Sequence, residues 1–234
     1  DDTVTIYDAN GDFAVDGSGS GMDRLLVDRS TQTAAVPNGI ITDFVNPTPN
    51  IGVLYNVTSS PIIFDKFEEF ELKLGTGNDN LIIDTALVGA TDIFVNGGDG
   101  DDVITLLSIG DDTSVSGGIG NDLLQVIVPG APSENQFIQL TMDVETLLVD
   151  NHTNGTYPVS WIHRDDPDFG RVLEVASLLV PGPALPAPGE FISTSGAGLT
   201  RILGGSLFDT LTVSTDTVAN VQGLIDGNLV TLET

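Results

Sequence analysis

Three glycine–aspartate loops recur in this chain in one register, and that recurrence constrains its fold more than any other feature. Leu74-Gly75-Thr76-Gly77-Asn78-Asp79 aligns with Gly97-Gly98-Asp99-Gly100-Asp101-Asp102 and with Gly117-Gly118-Ile119-Gly120-Asn121-Asp122. The closing aspartates lie 23 and 20 residues apart. Glycine opens the positive φ of a tight turn, and Asn and Asp tolerate it next best. Behind the loops stand Leu81-Ile82-Ile83, Val103-Ile104-Thr105-Leu106 and Leu123-Leu124-Gln125-Val126-Ile127, and before the first stands the alternating Phe70-Glu71-Leu72-Lys73. Short β-branched and aliphatic runs bounded by Gly, Asn and Asp read as strands. A strand–turn–strand unit repeated at one period buries its apolar face only by stacking on its neighbours.

Weaker copies flank the run. Gly19–Val27 keeps its glycines and Asp23, and Gly204–Thr212 keeps Asp209 but has Leu207 where a glycine belongs. Asp2 precedes Asp23 by 21 residues, again one period, and Asp2–Ile6 resembles Asp209–Val213, which points to a second, longer period. Val144–Val149 reads as a strand rather than half a helix. Tyr157–Phe191 breaks the rhythm with the sole tryptophan, Trp161, with His163, and with the proline-rich Pro181–Gly189. Proline cannot donate to a sheet, so residues 150–190 are expected to leave the repeat as an extended loop.

Charge narrows the function. Against 34 acidic residues stand 7 basic ones, a formal charge of −27. Such an excess with few β-branched residues means disorder, but Val, Ile and Thr alternate through most of this chain. A folded chain this acidic repels itself unless something neutralises it, and bound divalent cations are the obvious agent. Nucleic acid is excluded as a partner, because phosphate binding needs clustered Lys and Arg. The absence of cysteine excludes disulfides and thiolate metal sites. No apolar run approaches the roughly 18–20 residues of a membrane span.

The loops have a chemistry. Calcium takes six to eight oxygens and accepts carboxylates and carbonyls together, more than one loop supplies but within reach of two stacked loops. Here the loops resemble the repeats-in-toxin (haemolysin-type) calcium-binding repeats, in the widely spaced variety of very large bacterial surface proteins. The resemblance is clear over residues 70–128. It implies Asp79, Asp102 and Asp122 as carboxylate ligands, completed by carbonyls of Thr76, Asp99, Ile119, Gly75, Gly77, Gly98, Gly100, Gly118 and Gly120. Asn78, Asp101 and Asn121 are possible extra ligands, and Asp23 and Asp209 belong to the flanking copies.

The expected fold is therefore all-β: a right-handed parallel β-solenoid of about eleven coils, of β-helix or β-roll type. Calcium loops are expected along one edge, with residues 1–234 forming one elongated fragment of a larger repeat protein. The expected role is a Ca2+-stabilised structural or adhesive module, secreted to the extracellular space or cell surface. Its expected partners are neighbouring modules of the same polypeptide or like subunits, and possibly surface glycan.

Two alternatives come from other classes: an accessory or catalytic module of a carbohydrate-active β-helix enzyme, and a glycan-binding module using Trp161. A substrate groove needs aromatic and basic residues, and this chain has few of either. His152 and His163, with Asp165, Asp166 and Asp168, lack the spacing of a zinc site, and no nucleophile motif accompanies them. Asp8-Ala9-Asn10-Gly11-Asp12 lacks the remainder of an EF-hand loop. The chain is read as non-enzymatic.

Overall fold

The computed structural model describes residues 2–11, 13–43, 51–84, 92–107, 112–127, 139–150, 159–166, 170–177, 190–193, 197–204, 210–214, 221–225 and 228–232. Within them every regular element is a β-strand, and no helix is long and apolar enough to cross a membrane. The first strands are β1 (Thr3–Ile6), β2 (Phe13–Asp16), β3 (Arg24–Asp28), β4 (Gly39–Asp43), β5 (Ile51–Tyr55) and β6 (Ile62–Asp65). There follow β7 (Glu69–Lys73), β8 (Asn80–Ile83), β9 (Asp92–Asp99), β10 (Val103–Leu106), β11 (Asp112–Ile119), β12 (Leu123–Ile127) and β13 (Gln139–Asp150). The remainder are β14 (Val159–Asp166), β15 (Gly170–Ser177), β16 (Glu190–Ser193), β17 (Ala197–Leu203), β18 (Thr210–Ser214), β19 (Val221–Ile225) and β20 (Asn228–Leu232).

Sixteen of these strands form one large, mostly parallel sheet, built as two ladders that meet in β13. The first ladder runs β1-β3-β7-β9-β11-β13, all parallel, in the register Thr3–Arg24–Glu69–Asp92–Asp112–Gln139. The second runs β4-β8-β10-β12-β13-β17-β19, also parallel, in the register Asn80–Val103–Leu123–Thr146–Leu199 over its middle. From β7 to β13 the chain alternates between the ladders, and the glycine–aspartate loops make the crossings from the first to the second. The 23- and 20-residue loop spacings reappear as the strand registers Asn80–Val103 and Val103–Leu123.

Period-2 alternation explains why these segments are strands. β3, β7 and β12 each alternate partly exposed and buried residues. Leu25, Phe70, Leu72 and Ile93 from the first ladder meet Ile41, Leu81, Ile104, Leu124 and Leu147 from the second in a single apolar cluster. Phe64 and Phe70 stack with ring centroids 5.0 Å apart. The Phe64 ring lies so close over Gly52 that a side chain there would overlap it.

The structure departs from the expected regularity in three places. β4, β5 and β6 form an antiparallel meander that brings β6 beside β2. The first ladder therefore steps from Arg24 directly to Glu69, and six strands stack in it rather than about eleven coils. Of residues 150–190, the described ones lie in strands: Asp150 closes β13, and β14 and β15, with Glu190 opening β16, stand outside the two parallel ladders. β14, β15, β16 and β18 make a separate four-stranded sheet, and Leu173 of β15 is fully buried in the common core. Pro181–Gly189 lies outside the described residues. Finally, β18 pairs with β14 while β1 pairs with β3, so the longer period joins segments in different sheets. Val144–Val149 is strand, as expected, inside β13.

Candidate metal site: a buried carboxylate ladder

The crossing loops stack backbone on backbone. Asp99 N–H donates to Gly75 O (3.0 Å) and Gly100 N–H to Ile119 O (2.8 Å). Gly98, Gly100 and Gly118 have φ of +99°, +139° and +107°. A side chain on Gly98 would strike the carbonyl of Gly75, and one on Gly118 would strike that of Gly98. Glycine is required here by crowding as well as by conformation.

This stacking lines up the aspartates. Asp102 Oδ1 accepts from Asp79 N–H at 2.7 Å, and Asp122 Oδ1 from Asp102 N–H at 2.9 Å. Below, Asp79 Oδ1 accepts from Val36 N–H at 2.6 Å; above, Glu145 Oε2 accepts from Asp122 N–H at 2.8 Å. Each of the three aspartates thus ties its own loop to the segment before it. Asp79, Asp102 and Asp122 are at most 2 % exposed, and the second oxygen of each, Oδ2, is buried with no hydrogen-bond partner.

Desolvation of this ladder pushes its acids up. Burial raises the Asp102 carboxyl to about 6; the Asp79 N–H opposes the rise, and the charges of Asp79, Asp122 and Asp101 add to it. Burial likewise raises Asp122, with Glu145 contributing. Asp79 is also raised by burial, against hydrogen bonds from Val36 and Gly75 and the nearby charge of Arg29. The ladder therefore ends in a cation on the Asp79 side and a carboxylate on the Asp122 side.

The residues proposed from the sequence separate into two rails. Asp79, Asp102 and Asp122 form the buried one. Asn78, Asp101 and Asn121 form an exposed one, with Asp101 N–H on Asn78 Oδ1 (3.1 Å) and Asn121 N–H on Asp101 Oδ1 (2.9 Å). Thr76, Asp99 and Ile119 hold the exposed apex of each turn, where Ile119 is 74 % exposed. Gly97 and Gly117 are the glycines next to the unpartnered oxygens: a side chain on Gly97 would overlap Asp102 Oδ2 and the carbonyl oxygen of Gly117, and one on Gly117 would overlap Asp122 Oδ2. Leu74 stands at the equivalent position of the first loop and is buried in the apolar core. Among the described residues no three His, Asp or Glu side chains converge closely enough to hold a metal, so carboxylates alone do not make a site.

Searches against known proteins name no relative. No family model matches, nor does any curated protein or solved structure.

Asp23 is placed elsewhere than expected. It opens β3 at the opposite junction, where the chain enters the first ladder. There Asp23 Oδ1 accepts from Asp2 N–H and Glu68 Oε2 accepts from Asp23 N–H, both at 2.8 Å. The opposite edge, expected to be bare, thus carries a shorter acidic rail of the same design. Asp209 lies outside the described residues, as do His152 and Asp168. Trp161, His163, Asp165 and Asp166 contribute backbone to β14. Asp8 is held in an exposed turn by Ser59, whose N–H and Oγ both donate to it. Sequence reasoning missed Glu145 and Glu68. Each stands immediately before a β-run, Glu145 before Thr146-Leu147-Leu148-Val149 and Glu68 before Glu69-Phe70-Glu71-Leu72, where the aspartates stand in their own coils.

Proposed function

We propose that this chain is a calcium-stabilised structural or adhesive module of a secreted bacterial surface, filament or matrix protein, folded as a right-handed parallel β-solenoid. The reading rests on one observation: three stacked, buried carboxylates each keep an unpartnered Oδ2, two of them beside space that only glycine leaves open. Burying an uncompensated carboxylate costs several kcal/mol, and a hard cation shared with turn carbonyls offsets that cost. Asp102 and Asp122 are the main ligands in this reading. Asp79, beside Leu74 and Arg29, is the weaker end. The charge of −27 supports the same conclusion, because each bound Ca2+ removes two units of self-repulsion. Neighbouring modules or like subunits are the partners such a module serves.

The test is thermal unfolding followed by far-UV circular dichroism, in chelator and in millimolar calcium. With a site affinity of about 10⁻⁴ M, two sites at 1 mM contribute about 3 kcal/mol, a Tm rise of about 5–10 °C. Identical melting in chelator and in calcium removes the reading.

A further inference from the structure

Three turns near the start of the chain enclose a polar cavity of about 280 Å³. Asp8 comes from the segment after β1, Arg29 and Gln32 from the turn after β3, and Asn56, Thr58 and Ser59 from the turn after β5. Hydrogen bonds hold these walls in place. Arg29 N–H donates to Lys73 O (2.8 Å), and Thr76 N–H to Gln32 O (3.0 Å). Ser59 donates to Asp8 through its N–H (3.1 Å) and its Oγ (3.2 Å), and Asn56 Nδ2 donates to Asn38 O (3.0 Å). Within this frame some polar groups are left over. Arg29 Nη1 is buried and has no hydrogen-bond partner. Among the described residues, Gln32 hydrogen-bonds through its backbone alone, and Asn56 Oδ1 accepts nothing. A buried guanidinium nitrogen without an acceptor is costly, and an oxygen placed in the cavity removes that cost.

Charge and size choose the ligand. Arg29 is the one cation among the nine lining residues and Asp8 the one anion, and the Arg29 charge also reaches Asp79. An anion finds no excess of positive charge there, in a chain of −27, and a cation meets the guanidinium. A neutral ligand that both donates and accepts suits the lining. Its hydroxyls can accept from Arg29 and Gln32 and donate to Asp8 and Asn56. The cavity of about 280 Å³ stands at the lower edge of the roughly 300–1,000 Å³ of small-molecule pockets, room for one ring rather than a chain of them. A ring carrying adjacent hydroxyls presents donors and acceptors on a small rigid body, so little conformational freedom is lost on binding. We infer that this cavity binds a single neutral sugar ring, as a free monosaccharide or as the end residue of a glycan, with Arg29 Nη1 donating to one of its hydroxyls. The site adds a ligand to the proposed surface role and does not rest on calcium.

Titration of the isotope-labelled full chain with glucose, galactose, mannose, fucose and N-acetylglucosamine, followed by amide chemical shifts, tests it. At least one sugar should saturate with a Kd on the order of 1 mM, moving the amides of Gln32, Asn56 and Ser59 most. Methyl glycosides of that sugar separate the two sources. A glycan end should bind as tightly as the free sugar, whereas a site for free monosaccharide should lose binding to the added methyl. Arg29→Gln should weaken the sugar about tenfold, and Gln32→Ala and Asn56→Gly about threefold each. Glycine suits the φ of +59° that Asn56 holds. Circular dichroism shows which variants are folded, and if Arg29→Gln is not, the other two carry the test. No saturable shift with any of the five sugars overturns the proposal, as does unchanged affinity in every folded variant. Acetate or sulfate saturating the same amides more tightly than every sugar overturns the neutral ligand. A Tm that rises with calcium in a chain that binds no sugar overturns this site alone. Sugar binding by a chain whose Tm ignores calcium overturns the calcium reading alone.

Discussion

Gly118→Ala should abolish the folded state or destabilise it by on the order of 4 kcal/mol or more, among the largest effects of any single methyl group in this chain. Gly118 has φ +107°, and a Cβ there meets the backbone of Gly98, which cannot move aside as a flexible side chain can. Two companion variants separate the causes. Gly11 has φ +113° with nothing near its missing Cβ, so Gly11→Ala bears conformational strain alone, about 1 kcal/mol. Gly120 lies outside the left-handed region, yet its Cβ would strike the carbonyl of Gly100, so Gly120→Ala bears crowding alone. Urea unfolding of the three should rank Gly11→Ala close to the parent and both stacked-loop variants far below it. A Gly118→Ala protein melting within a few degrees of the parent would mean that the loops do not stack as described.

The second large effect is an inverted pH dependence. The Asp102 carboxyl is raised to about 6 in the fold, against about 3.9 in an unfolded chain. Between those values the folded state holds a proton that the unfolded state has released. Stability from this group is therefore present at low pH and lost as pH rises through about 4 to 6, in all about 3 kcal/mol. Asp79 and Asp122, also raised, push in the same direction. In chelator the protein should be more stable at pH 5 than at pH 7.5, opposite to ordinary acid denaturation. On the calcium reading proposed above, calcium at pH 7.5 should restore the loss, the ion taking the proton's place on the ladder.

Asp102→Asn separates this effect from general repulsion among the 34 acidic residues. The amide keeps the acceptor for Asp79 N–H but carries no charge. The variant should be more stable than the parent in chelator at pH 7.5 and should gain less from calcium. Chelated parent and variant with equal stability at pH 7.5 would contradict the account.

Much of this geometry was legible from two spacings. The 23- and 20-residue intervals fix which strands pair, and the Gly-x-Asp order fixes where the chain turns. The strand character of Val144–Val149 and the 21-residue step from Thr3 to Arg24 were legible for the same reason: period-2 alternation and one-coil spacing. What escaped was set by side-chain reach and by compensation rather than by motif. Glu145 takes an aspartate's place, its Oε2 accepting from Asp122 N–H, although no glycine turn precedes it in the sequence. Asp23 sits in a glycine-rich loop yet serves the opposite junction, since a turn motif does not encode which ladder it enters. The β4–β6 meander and the β14–β16 sheet follow from which apolar faces need cover, as Leu173 shows by completing the common core.

β13 carries a mechanical consequence. Its first part pairs with β11 in the first ladder, its second part with β12 and β17 in the second, and no glycine turn separates them. Elsewhere a coil can be peeled from one ladder while its turn yields and the other ladder holds. At β13 a pulling force has no yielding turn to act on, so both sets of hydrogen bonds must shear at once. A chain drawn out from its N-terminal end should release its early coils in small steps and stall at β13, giving its highest rupture force there.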